Sequence, residues 1–263
     1  MKIAVRENMV PGADLEERLD FLERIGYDGI ELTNLPTVSR SPCELARIFR
    51  DHWVRPTTIE GVRQLLDPDP AARQSSLDLL RERLALAATL DAVGVLVVPI
   101  FGGPRVPDLS PHQTALGLER GLFLAELQHI AGDAERAGST VILEPLNRYE
   151  THFINTLDQG AEYCRRVNRP GIRIMADFFH MAIEEANIAT SIRLSAPFIR
   201  YVHVADSNRL QPGRGHTDFR SGFRALKDAG YDGYLGVECG LVGTPEHALR
   251  EAATYLRATW AEA

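Results

Sequence analysis

The sequence predicts an α/β protein folded as a (β/α)8 TIM barrel, a single domain spanning residues 1–263. Three observations predict it. Eight short β-branched runs alternate with longer amphipathic runs, the pattern of parallel βα units. Several short runs are almost wholly apolar (Val95-Leu96-Val97-Val98 and Val141-Ile142-Leu143), as strands covered on both faces should be. The first strand runs into Val5-Arg6-Glu7-Asn8, without the glycine-rich phosphate turn expected of an open doubly wound sheet.

Strands are expected at residues 2–5, 29–32, 55–59, 95–99, 140–144, 173–177, 199–204 and 235–238. The first helix, 14–25, places Leu15, Leu19, Leu22 and Ile25 on one stripe with Glu and Arg opposite. The second, 41–50, starts at Ser41-Pro42. Asp67-Pro68-Asp69-Pro70 is a turn leading into the third, 71–90, with acidic residues suited to a helix start. Runs at 112–137, 157–167, 183–194, 219–229 and 245–260 complete the set. Gly26-Tyr27-Asp28-Gly29 is echoed by Gly230-Tyr231-Asp232-Gly233, and the strands that follow end at Glu31 and Glu238. No linker or charge block marks a second domain.

Composition narrows the function classes. Apolar residues make up 44% and charged residues 25%, which excludes a disordered, collagen-like or disulfide-scaffold chain. The net charge of −7, with Arg165-Arg166 as the longest basic run, argues against a nucleic-acid partner. Three cysteines without CxxC spacing suit a reducing compartment. The start Met1-Lys2-Ile3-Ala4-Val5-Arg6 lacks the apolar core of a signal peptide, and the most apolar stretch, 93–103, is too short to span a bilayer. A cytoplasmic protein with no membrane partner is expected.

Active sites of such barrels lie at the C-terminal ends of the strands. Four consecutive strands end in chemistry: Glu144, Asp177, His203 and Glu238. Three carboxylates converging without a counter-ion would repel one another. A divalent cation resolves this, and an oxygen-rich set with one imidazole suits Mn2+ or Mg2+ better than structural zinc. For any one of these residues, a helix cap or loop anchor is the plainer explanation. Glu150, His180 (on the loop leaving strand six) and Arg209 fall on the same face as candidate substrate contacts. The segment from Gln211 to Phe219 carries Gly213 and Gly215 and is either a phosphate cradle or a helix entry. His52, His112, His129, His152 and His247 show no ligand spacing. Cys239 should face away from Glu238, with no base to activate it.

Five segments together resemble a known group. They are Glu144-Pro145-Leu146-Asn147-Arg148-Tyr149-Glu150, Asp177-Phe178-Phe179-His180-Met181, His203-Val204-Ala205-Asp206-Ser207-Asn208-Arg209, Pro212-Gly213-Arg214-Gly215-His216 and Val237-Glu238. They resemble ketose 3-epimerases of the D-tagatose 3-epimerase type, within the xylose isomerase-like barrels. The likeness is close over about 140–240 and weaker over 67–103. It implies that Glu144, Asp177, His203 and Glu238 bind one divalent metal ion, Mn2+ first, with Mg2+, Co2+ or Zn2+ as alternatives. It implies that Glu144 and Glu238 are the acid/base pair, and that Glu150, His180 and Arg209 hold the substrate. The implied partner is a small-molecule ketose, sugar phosphate or keto-polyol, and family habit implies a homodimer or homotetramer.

The chemistry implied is proton removal beside a carbonyl by one glutamate and return by the other on the opposite face of an enediolate. A keto-inositol isomerase or dehydratase would use the same metal site. An endonuclease IV-type nuclease would need more histidine ligands and basic loops, and a non-catalytic sugar-binding barrel would not need both glutamates. The N-terminal third departs from the family pattern: Arg6, Glu7 and Glu60 put charge at strand ends where relatives often carry apolar or aromatic side chains. Arg6 either meets a phosphate with the Gly213/Gly215 loop or pairs with Glu7 or Glu31.

Overall fold

A computed structural model describes residues 1–33 and 40–263. Eight parallel strands close into a barrel in sequence order. They are β1 (Lys2–Arg6), β2 (Gly29–Leu32), β3 (Arg55–Glu60), β4 (Gly94–Val97), β5 (Val141–Leu143), β6 (Ile172–Asp177), β7 (Ile199–Val204) and β8 (Tyr234–Val237). Pairing of Ile3 with Leu235 and Val5 with Val237 closes the ring. The α-helices among the described residues are α1 (Leu15–Ile25), α2 (Pro42–Arg50), α3 (Pro70–Thr89), α4 (Ala115–Ala137), α5 (Leu157–Val167), α6 (Phe178–Glu184), α7 (Ile188–Ser195), α8 (Phe219–Asp228) and α9 (Pro245–Glu262).

Local chemistry sets the helix starts. Each of these helices is opened by a side chain that accepts a backbone N–H: Asp14, Ser41, Asp69, Thr114, Thr156, Asp177, Asn187, Asp218 and Thr244. Such a cap contributes about 1 kcal/mol. Ser41 and Glu44 form a reciprocal capping box.

Two expectations are corrected. The fourth helix begins at Ala115 rather than 112, because Thr114 caps it and residues 109–113 close their own turn, Leu109 N–H to Gln113 O at 3.0 Å. The single helix expected at 183–194 is two. Asp177 caps α6 directly, and the chain turns extended at Glu185. The Glu185 carboxylate accepts Leu157 N–H and the Ser191 hydroxyl, and Asn187 restarts the chain as α7.

The alternation of strand side chains decides which residues reach the site. Val141 and Leu143 pack outward into the large core between sheet and helices. Ile142, Met175 and Tyr201 form a separate cluster of buried side chains, which fills the barrel interior. A strand repeats every two residues, so Glu144, Asp177 and His203 lie on the same side as these three, one layer nearer the C-terminal mouth. Gly236 shares the lower layer, where an added Cβ would lie 2.2 Å from Glu31 Oε1 and 2.8 Å from the Tyr201 hydroxyl. Among the described residues no helix is long and apolar enough to cross a membrane.

Candidate metal centre and cleft

Glu144, Asp177, His203 and Glu238 come together at the barrel mouth, with one ligand-type atom from each lying within 4.8 Å of all the others. His203 Nδ1 is the hub. It lies 2.9 Å from Glu238 Oε2 and 3.6 Å from both Glu144 Oε1 and Asp177 Oδ2. It is buried and has no hydrogen bond of its own.

The other ring nitrogen explains why. His203 Nε2 lies 2.8 Å from Glu31 Oε1, which also accepts the Tyr201 hydroxyl at 2.9 Å. A carboxylate can only accept, so Nε2 carries a proton, and Nδ1, ringed by the three carboxylates, is the nitrogen left to bind a cation once the ring is neutral. A buried ring nitrogen without a geometric hydrogen bond, set among three carboxylates, fits a divalent cation with a preference for oxygen. With a cation bound to Nδ1, Glu31 would play the supporting part that outer carboxylates play for metal-bound imidazoles.

Asp177 divides its carboxylate. Oδ1 accepts Phe179 N–H at 2.7 Å and His180 N–H at 3.1 Å, while Oδ2 turns toward His203. The helix cap and the candidate ligand are therefore one residue. His180 sits in the first turn of α6, not on a loop as expected.

The electrostatics separate the two glutamates. Burial raises Glu144 above the usual carboxylate range, reinforced by Glu238 and opposed by His203. Burial would raise Glu238 too, but His203 and the Arg6 guanidinium override it and hold its carboxyl well below that range. Asp177 is lowered: burial opposes this, but His180 and His203 outweigh it. His203 is raised well above the usual imidazole value, since Glu31 and Glu238 outweigh its burial.

A cleft of about 200 Å³ opens over this centre. His180 Nδ1 faces two donors, Asn147 N–H at 3.1 Å and Asn147 Nδ2 at 2.8 Å. It must accept, which leaves Nε2–H as a donor lining the cleft, buried and unpartnered. Arg209 donates to Glu150 Oε1 at 2.6 Å and lies over the Phe179 ring, 4.7 Å from its centroid. Asn147 Nδ2 also donates to Glu150 Oε1, at 3.0 Å. The residues singled out on this face thus form one connected network.

Arg6 pairs with Glu238 and Glu60, not with Glu7 or Glu31. Glu7 pairs with Arg18 at 2.8 Å instead. The glycine loop is not an open anion cradle either. The buried Asp206 carboxylate already accepts N–H groups from Ser207, Gly213 and Thr217, at 2.8, 2.9 and 3.0 Å. Burial pushes the Cys239 thiol up to about 12.

Sequence reasoning missed Glu31 as a site residue. Its signal was the one used for the others, a carboxylate closing the apolar run Gly29-Ile30-Glu31. It also missed that Asp20, Glu23 and His52 meet, on α1 and the segment after α2. Glu23 there already accepts Trp53 N–H at 2.6 Å.

A family model described as xylose isomerase-like TIM barrel matches residues 19–259. The chain is 29% identical over 262 residues to 3-dehydro-D-guloside 4-epimerase of Escherichia coli (strain K12), covering 98% of this chain and 99% of that one. It is 31% identical over 216 residues to ketose 3-epimerase of Arthrobacter globiformis, covering 81% of this chain and 73% of that one. Among solved structures, apo 3-keto-D-glucoside 4-epimerase from E. coli superimposes with a TM-score of 0.89 at 28% identity, covering 98% of this chain and 99% of that one.

Proposed function

We propose, for a chain that belongs to the xylose isomerase-like TIM barrel family, that it is a divalent-metal-dependent sugar epimerase inverting the carbon next to a carbonyl. One observation carries the reading: Glu144, Asp177 and Glu238 converge on the unpartnered Nδ1 of His203. A bound divalent cation, Mn2+ in this reading, would supply Lewis acidity that offsets negative charge growing on the substrate oxygens.

The chain's own residues then divide the proton transfers. Glu238, kept as a carboxylate by His203 and Arg6, takes the proton from the carbon beside the carbonyl. Glu144 returns a proton from the opposite face and inverts the centre. The His180 Nε2–H and the Arg209 guanidinium donate to oxygens that gain charge. Glu150 holds Arg209 in place.

The first substrate reading is a ketose inverted at C3, in line with the A. globiformis relative. A second reading is a 3-keto glycoside inverted at C4. It is favoured by the end-to-end match to the E. coli 4-epimerase, whereas the 3-epimerase relative is matched over 73% of its length.

Proton NMR in D2O tests the reading, using Mn2+-loaded enzyme chelated before acquisition and a panel of ketoses and 3-keto glycosides. The expected result is loss of the signal from the carbon beside the carbonyl, with the epimer appearing. Glu144→Gln and Glu238→Gln should each slow this by roughly 10²–10⁴-fold. Full activity in both variants would overturn the two-base mechanism. Deuterium uptake without any epimer would move the function to an isomerase or dehydratase.

A further inference from the structure

His152 and Glu119 take no part in the proton transfers, yet they tie together the two loops that edge the cleft beside Glu150. Glu119 lies on α4 with its side chain fully buried. Among the described residues its one ion-pair partner is His152, whose Nε2 lies 2.6 Å from Glu119 Oε2. The other carboxylate oxygen accepts Arg105 N–H at 2.9 Å, while the Arg105 guanidinium turns away to Asp67 at 3.6 Å.

The ring nitrogens of His152 count the protons of the pair. Nδ1 lies 2.8 Å from Gly102 O, and a carbonyl only accepts, so Nδ1 carries a proton. A lone pair on Nε2 would repel a bare carboxylate at 2.6 Å, so a second proton lies between the two. That proton offsets the cost of a carboxylate shut away from water.

What the pair anchors is the edge of the cleft. The loop after β4 carries Phe101, which lines the cleft, and then Gly102. Gly102 N–H donates to Glu150 O at 2.8 Å, and Gly102 O accepts His152 N–H at 3.1 Å. Gly102 and Thr151 thus meet in a single parallel bridge between this loop and the one after β5. The Thr151 hydroxyl adds a bond to Ile100 O at 2.7 Å. Glu150 sits at this bridge, and its carboxylate takes both Asn147 and Arg209. A bridge one residue long has little stiffness of its own. The His152 side chain fastens it to α4, whose Phe123 and Leu127 are buried in the core.

We propose that His152 and Glu119 are a positioning pair: they fasten the loops after β4 and β5 to α4 and so hold Glu150, and through it Arg209, in place over the metal centre. The part Arg209 plays in the reaction rests on the epimerase reading.

Kinetics of the Mn2+-loaded enzyme test it, with D-fructose, L-ribulose and methyl 3-keto-glucoside as probes. His152→Ala should lower kcat roughly 10- to 100-fold, the cost of about 1 Å of misplacement, with KM and Mn2+ affinity staying within about threefold. Glu119→Gln rebuilds the contacts without the extra proton: its carbonyl oxygen accepts Arg105 N–H, and its NH2 donates to a neutral His152. It should keep kcat within about threefold of the parent, whereas Glu119→Ala should fall with His152→Ala. His152→Ala alone strands a buried carboxylate, and the double variant His152→Ala/Glu119→Gln removes that charge. Its melting temperature should return toward the parent's while kcat stays low. A merely structural pair would regain both together. A readout independent of turnover is solvent exchange of the Arg209 Nε–H in Mg2+-loaded protein by 15N NMR, which should quicken in His152→Ala and in the double variant.

Parent-like kcat in His152→Ala overturns the proposal, as does kcat that recovers with melting temperature in the double variant. Unchanged Arg209 exchange in both variants overturns it as well. Absence of epimerisation by the parent with every probe would sink the epimerase reading instead, and the Arg209 exchange would then decide the positioning role by itself.

Discussion

Glu31 offers a direct test of whether tautomer control makes the four-residue cluster a metal site. Its carboxylate is buried, 1% exposed, and takes both His203 Nε2–H and the Tyr201 hydroxyl on one oxygen. In Glu31→Ala the Nε2 proton has no acceptor. The imidazole then gains by moving its proton to Nδ1, 2.9 Å from Glu238 Oε2. The parent also sheds a proton when a cation binds, but its neutral ring keeps the remaining one on Nε2, whereas the variant must in addition give up its preferred tautomer. Outer carboxylates of this kind are worth roughly 10- to 100-fold in metal affinity, about 1.4–2.7 kcal/mol. The fold should survive, since Tyr201 keeps Thr57 Oγ1 at 3.0 Å. Glu31→Gln, which retains an acceptor oxygen, should recover most of the loss. Chelator-competition titration with Mn2+ and Zn2+ measures the affinity, and 15N NMR of the imidazole reports the tautomer. Metal affinity of Glu31→Ala within twofold of the parent would refute the argument.

Two further outcomes follow from the same geometry. In the metal-free protein His203 is raised, so its stabilising contribution is full below the unfolded imidazole pKa and is lost as pH rises through the higher folded one. Glu238 and Asp177 are lowered, so theirs is present above the unfolded carboxylate values and is lost as pH falls through the folded ones. A cation needs neutral His203 and ionised Glu144, both raised in the metal-free protein, so apparent affinity should climb with pH and binding should release protons; calorimetry in two buffers of different ionisation enthalpy counts them, and zero release contradicts the assignment. Gly236→Ala places a Cβ 2.2 Å from Glu31 Oε1 and 3.0 Å from His203 Cδ2. It should cost roughly 1–3 kcal/mol in urea unfolding and weaken metal binding as well, and a change under about 0.5 kcal/mol would show that the interior layer is looser than described.

Much of the candidate site was legible because its signals are local. An apolar run ending in a single acid marks Glu144, Asp177 and Glu238, and period-two alternation then points them all inward. The error at residues 183–194 was also local in origin. The apolar spacing ran through Glu185, but a side-chain contact to Leu157 N–H, 28 residues away, broke the helix there. Glu31 was visible as a strand end and stayed unassigned, because nothing near it in sequence reveals its partner. His203 is 172 residues away.

Alternation, strand ends and capping residues are short-range properties, written within a few residues and readable from the sequence alone. They determined the barrel, the order of its elements and the acidic mouth. Which charge meets which was decided only by closure of the ring, where β1 comes to lie beside β8. That contact joins Arg6 to Glu238 across 232 residues, and it separates the proton affinities of two glutamates that look alike in sequence. Coulombic and desolvation effects depend on distance in space and on exclusion of water, and neither exists until the barrel has closed.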